Sequence, residues 1–245
     1  MSQGPGRFCK LRLLLWSAAL IILLLIVIPT ETKRSAFEDE VSKKESFLRD
    51  ARSTLSNHAA SKLWYEIGTL YQTDLVRNFV NDGVHTSAHK AISAYNEAFV
   101  LNNNSDNLLA VELSQRIGII YELIGQFDDS IALYDRAIEI SNNKMATSSS
   151  LNLKADLYLT IGRIEDALAT ITDTIKVDKD RIPSYWTLCK IYKEKRVSES
   201  VWRELAAEFD TVIARYRDTG SPIHPLLHWT KYTVSLLGTN CRDTF

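Results

Sequence analysis

Two pairs of histidines stand four residues apart, His85 with His89 and His224 with His228. On a helix that spacing puts both imidazoles on one face, where they could share one metal ion. Neither pair has a cysteine or carboxylate placed to complete a ligand set, and His85 falls in a stretch that reads as loop. Exposed or interface histidines are the reading, and no metal is expected. The three cysteines, Cys9, Cys189 and Cys241, are too few and of the wrong parity for a disulfide framework. Cys189 takes a small-residue core position, and Cys241 reads as a free thiol near the end. Cys9 lies beside an apolar run and is a candidate for lipidation. Asn103-Asn104-Ser105 is a sequon, so Asn103 is a candidate glycosylation site in a polar loop. No phosphate loop, G-x-G-x-x-G, H-E-x-x-H, G-x-S-x-G or C-x-x-C occurs, so no catalytic residue and no cofactor is implied, and the chain is not expected to be an enzyme.

The feature that must position everything else is the run LLLWSAALIILLLIVI at 13–28. With Leu11 and Arg12 it makes 18 residues, which at 1.5 Å each is about 27 Å, enough to cross a thin bilayer. Arg12 can snorkel to the headgroups. A cleaved signal needs small residues before the cut. Here Ile28, Pro29 and Thr30 lead into Glu31, Lys33 and Arg34, so an uncleaved signal-anchor over 11–28 is the expectation. Arg7, Lys10 and Arg12 precede the span with no acid among them, which keeps 1–10 as a cytoplasmic tail and puts the body on the luminal or periplasmic side. Residues 35–245 carry 24 basic and 29 acidic side chains. A mildly acidic body lacks the basic face that displaces counterions, so no nucleic acid is expected as partner.

Residues 29–56 read as a helical stalk or linker. Phe37, Val41, Leu48, Ala51 and Leu55 fall on one stripe. Lys44 interrupts it where a coiled coil wants an apolar residue, so a helix leaning on the body is expected ahead of a weak homodimer through the stalk.

Beyond the stalk the chain repeats itself. Residues 118–140 align with 155–177 at an offset of 37, with Gly118 over Ala155, Tyr121 over Tyr158 and Gly125 over Gly162. Cys189 and Tyr192 follow at 34. Upstream, Gly68 and Tyr71 open the same pattern, and Ala91, Tyr95 and Ala98 are spaced like Ser130, Tyr134 and Ala137. Each unit is a pair of amphipathic helices. A small residue (Gly68, Gly118, Ala155, Cys189) lets the neighbouring helix approach, and a glycine (Gly125, Gly162) ends the first helix in a left-handed cap. No pair can bury its own apolar face, so pairs must stack. Ala155 at the place equivalent to Gly118 implies that alanine is near neutral at 118 and that leucine is not.

On these residues the chain resembles the tetratricopeptide repeat family. The signature reads Trp64, Ile67-Gly68, Tyr71, Ala91, Tyr95, Ala98, and again Ile117-Gly118, Tyr121, Gly125, Phe127, Tyr134, Ala137. The closing proline is missing, with Asn103, Asn142 and Lys179 near its place. The first unit carries about 11 extra residues within 73–87, and the fourth has Ser-Glu-Ser at 198–200 without a turn glycine. The resemblance implies an all-α, tetratricopeptide-like α-solenoid of about four helix pairs over 57–217, preceded by the single transmembrane helix. Residues 218–245 are then a C-terminal capping helix or the start of a truncated repeat.

The resemblance also implies a groove lined by the first helix of each unit. Carried over, its positions are Tyr65, Thr69 and Gln72; Gln115, Ile119 and Glu122; Asn152, Asp156 and Leu159; and Trp186, Lys190 and Lys193. A subclass that clamps a peptide carboxylate needs basic residues where this chain has Tyr65, Thr69, Arg116, Pro183 and Thr187, so that subclass does not fit. The function expected is a membrane-tethered scaffold or adaptor that binds a protein or peptide partner in the groove. The alternative is the tether and repeat region of a longer membrane-anchored enzyme, and cleavage of the span would leave a soluble repeat protein.

Overall fold

The computed structural model describes residues 35–218, apart from 52, 78–83 and 104. Nine helices hold the regular structure of these residues. A first helix, α1, spans 35–50. It is followed by α2 (Asn57–Arg77), α3 (Val84–Asn102), α4 (Asn107–Leu123), α5 (Phe127–Ile140), α6 (Lys144–Thr160), α7 (Ile164–Val177), α8 (Ile182–Lys195) and α9 (Glu199–Asp218). Among the described residues no helix is long and apolar enough to cross a membrane. The run 11–28, Cys9, Cys241, His224, His228 and the 218–245 cap lie outside them, Asp218 excepted.

Local chemistry sets the helix ends. Asp106 caps α4, its carboxylate accepting from the Leu109 amide at 3.0 Å, and Asn143 caps α6 through the amides of Met145 and Ala146. Carboxylates fill the first turns of α5 (Asp128, Asp129) and α7 (Glu165, Asp166), where the helix dipole favours negative charge. The first helices stop as the spacing predicts, with Gly125 at φ +79° and Gly162 at φ +77°. In each case the next amide reaches back to a carbonyl one turn below, Gln126 to Tyr121 and Arg163 to Tyr158, both at 2.8 Å. The fourth unit does the same without glycine. Arg196 adopts φ +51°, and Val197 reaches back to Tyr192 at 3.2 Å.

α2, α4 and α6 each pack on the second helix of their own unit, α8 meets α9 through Leu188, Tyr192 and Trp202, each second helix packs on the next first helix, and α4, α6 and α8 adjoin in turn. The apolar core is therefore a band running along the stack rather than one centre. Ala91, Tyr95, Ala98, Ser130, Tyr134 and Ala137 are all fully buried, as the repeat alignment requires.

Two expectations change and one is met. The described part of the first unit's extra residues is helical. α2 runs four residues past the place where α4 stops, and α3 starts four residues before the place where α5 starts. Leu75 in the added turn is fully buried, and the Ser87 hydroxyl donates to Asp74 at 2.7 Å. His85 therefore sits in α3 and not in a loop, and among the described residues no cluster of His, Cys and carboxylates is built to hold a metal.

Second, α1 uses its apolar stripe inside the chain. Val41 and Leu48 are buried, Leu48 in a cluster with Ile67 and Ala94, and Phe37 meets Tyr71 edge-to-face at 5.7 Å. The helix leans on the body, as the stripe predicts.

Third, alanine is not neutral at 118. A Cβ there would lie 2.7 Å from Cε1 of Tyr134, and one at Gly68 would lie 2.5 Å from the Tyr95 ring. Both rings are fully buried and have nowhere to turn. Ala155 is tolerated because the knob at the matching place in α7 is Ile171, not a tyrosine.

Candidate binding face

The groove positions of each first helix are spaced by four and three residues, so they share one helical face. All twelve fall in α2, α4, α6 and α8 as expected. Asn152 is buried, Lys190 and Lys193 are exposed, and the other nine are half-buried.

What the spacing does not reveal is that these side chains brace one another across the gaps between units. Between α2 and α4, Tyr65 donates to the Glu112 carboxylate, and Arg116 donates to the Tyr65 hydroxyl at 3.1 Å and to Gln72 at 3.4 Å. Arg116 also pairs with Glu112 at 3.1 Å. Between α4 and α6, Gln115 donates to Ser150 at 2.8 Å. Between α6 and α8, Asn152 donates to Thr187 at 3.3 Å, and the Asp156 carboxylate accepts from Thr187 at 3.1 Å and Lys190 at 3.2 Å. Glu112, Arg116, Ser150 and Thr187 thus belong to the face alongside the carried-over set. Arg116 and Thr187 stand at places of the carboxylate-clamp pattern, but here they brace helices.

Burial raises the pKa of Glu122 above the ordinary glutamate range; the hydrogen bond from Tyr134 opposes the shift and the nearby Asp156 charge adds to it. The Tyr134 hydroxyl is 3.2 Å from the Glu122 carboxylate. Burial pushes the Cys189 thiol up to about 12, so it stays protonated and inert, as its core position implies.

The same spacing, continued along the helices, reaches residues the carried-over pattern omits. Leu108 lies four residues before Glu112 and seven before Gln115, Met145 seven before Asn152, and Val76 four after Gln72. Five large apolar side chains stand exposed among the described residues: Phe47, Val76, Val100, Leu108 and Met145. Three of the five therefore mark this one face. Two clefts open on it. One, of about 390 Å³, lies near the start of α2 and α4 and is lined by Lys62, Tyr65, Glu66, Asp106, Leu108, Leu109 and Glu112. The other, of about 380 Å³, lies where α6 and α8 end, between Leu159, Thr160, Gly162, Ile164, Lys190, Lys193 and Glu194. Asn103 is exposed just past α3, at φ +42°.

No curated protein matches the chain. Residues 108–180 match the tetratricopeptide repeat family. Among solved structures the chain is similar to MamA, at 15% identity and a TM-score of 0.50 over 78% of this chain and 95% of that one. It is also similar to BtubC (BKLC) from P. vanneervenii, at 14% identity and a TM-score of 0.49 over 86% and 95% of the two chains. A tetratricopeptide repeat protein from Parabacteroides merdae aligns at 14% identity and 0.47 over 85% and 76%. At such identities the likeness concerns the fold alone. Residues 108–180, the α4–α7 stretch with its Schellman-capped first helices, are similar to tetratricopeptide repeats, and the described helices around them continue the same all-α solenoid.

Proposed function

We propose that the chain is a protein-interaction module that holds a segment of a partner on the shared face of α2, α4, α6 and α8, tethered to a membrane through residues 11–28. The observation that carries the binding half is the gathering of Val76, Leu108 and Met145, exposed, on the face that already holds the groove residues. Exposed large apolar side chains concentrated on one face mark an interaction surface, whereas scattered ones mark nothing. The tether rests on the uncharged run 13–28, and the luminal or periplasmic body on Arg7, Lys10 and Arg12. With that topology Asn103, exposed beyond a helix end, is open to glycan addition.

The test is comparative capture from detergent-solubilised membranes. The full chain should retain a partner that a Trp186→Ala, Met145→Glu variant releases; a partner held equally by both would remove the groove from the reading. Alkaline carbonate should leave the chain in the membrane pellet, and its release would remove the tether. Protease added to sealed vesicles should spare the body.

A further inference from the structure

Consecutive helices of the stack run antiparallel, so the turns inside the units fall on one edge and the turns between units on the other. Gly125, Gly162 and Arg196 mark the first edge. Asn103, Asn143 and Asp178 mark the second. The first unit extends farther than the second at the first edge, because α2 and α3 each carry an added turn there. α1 runs antiparallel to α2. Phe37 meets Tyr71 at 5.7 Å, Lys44 pairs with Glu66, and Leu48 clusters with Ile67. The start of α1 therefore stands on the first edge, level with Thr73.

From this placement we infer that the edge holding the turns within the units, led by the last turn of α2 and the first turn of α3, is the surface that the body turns to the lipid bilayer. The inference rests on the tether proposed above and adds the orientation of the body on it. Residues 29–34 are all that separate the run 11–28 from α1. Six residues reach about 20 Å at full extension. α1 covers 35–50 and is about 24 Å long. A body standing the other way up would hold the start of α1 at least that far from the bilayer, beyond what the tether spans. With the first edge down, the start of α1 stands only about 6 Å, one helix turn, above the end of α2. In the turns of the first three units the exposed charges have both signs, Arg77 and Arg163 against Asp128, Asp129, Glu165 and Asp166. The edge therefore asks for no anionic headgroup. Asn103 falls on the far edge, where a glycan has room.

The test uses the two ends of one helix. Thr86 in the first turn of α3 and Val100 in its last are both exposed and stand about 21 Å apart along the axis. In a Cys9→Ser, Cys241→Ser background, where the buried Cys189 stays unreactive, Thr86→Cys and Val100→Cys each carry one fluorophore. The full chain is reconstituted into phosphatidylcholine vesicles with a nitroxide on a share of the headgroups. The label at 86 should be quenched at least twofold more strongly than the label at 100. A Gly-Ser spacer of about 20 residues between Thr32 and Lys33, whose mean reach is about 25 Å, should abolish that difference. Equal quenching, stronger quenching at 100, no quenching at either site, or a difference that survives the spacer overturns the orientation. In each of those cases retention of the chain in alkaline carbonate leaves the tether standing, and release removes the tether as well.

Discussion

The second and third helix pairs solve one packing problem with different side chains. In α4–α5 the close-approach residue is Gly118, the knob opposite is Tyr134, and the tyrosine hydroxyl meets Glu122, four residues after the glycine. In α6–α7 the same three places hold Ala155, Ile171 and Leu159. The first pair repeats the polar solution, with Gly68, Tyr95 and a 2.7 Å hydrogen bond from the Tyr95 hydroxyl to Gln72. Three positions thus change together. A ring needs a missing methyl group in front of it and a hydrogen-bond partner at its tip, because a buried hydroxyl left unpaired costs about 1–3 kcal/mol. An isoleucine needs neither, so alanine and leucine take the two places.

That reading can be broken most sharply at 118. Gly118→Leu should destabilise by about 3 kcal/mol or more, at the top of the overpacking range, because the buried Tyr134 ring cannot retreat. Gly118→Ala should cost about 1–2 kcal/mol even though alanine gains about 1 kcal/mol in helix propensity. A thermal melt in which the alanine variant matches or exceeds the parent would show that the ring yields. Converting the second pair to the third should then recover part of the loss. In a double-mutant cycle, Gly118→Ala and Tyr134→Ile should couple favourably by about 1 kcal/mol, and additivity within error would mean that the sites are independent.

Helix endings offer a smaller effect. Gly125 and Gly162 turn at positive φ without cost, whereas Arg196 makes the same turn with a side chain. Arg196→Gly should stabilise by about 1 kcal/mol, and Gly162→Ala should destabilise by a similar amount. Opposite signs in denaturant melts would confirm that one turn serves both units.

The smallest effect separates the pairs by pH. Glu122 has a raised pKa in the folded chain, so the folded state holds its proton more tightly than the unfolded one. Its contribution is fully present below the ordinary glutamate pKa and is lost as pH rises through the raised value. Stability should fall across that weakly acidic window, and Glu122→Gln, which copies Gln72 of the first pair, should flatten the profile. An unchanged profile would place the titration elsewhere.

The helix pairs, their period, the two glycine turns and the helices that carry the groove were legible in the sequence, since each depends on spacing along one helix. The cost of alanine at 118 was not, because it is set by a ring sixteen residues away, and aligning Gly118 with Ala155 compares the sites without comparing Tyr134 with Ile171. The left-handed Arg196 escaped for a related reason, since glycine is the signal for that turn and the hydrogen bonds close it regardless of side chain. The insertion in the first unit looked like a loop because a repeat pattern has no template for two helices that both grow by a turn. The braces across the face join residues 31 to 51 positions apart, which no local pattern displays.

Those braces have a mechanical meaning. A stack of helix pairs is a spring whose pitch is set by small rotations between neighbours. Every gap between its first helices, α2 to α4, α4 to α6 and α6 to α8, is stitched on the same side by at least one side-chain hydrogen bond. Stitches on this side resist uncoiling, and Lys154–Asp135 and Lys195–Glu165 tie the units together on another. The curvature of the coil is thus held by polar side chains on one face as well as by its apolar band.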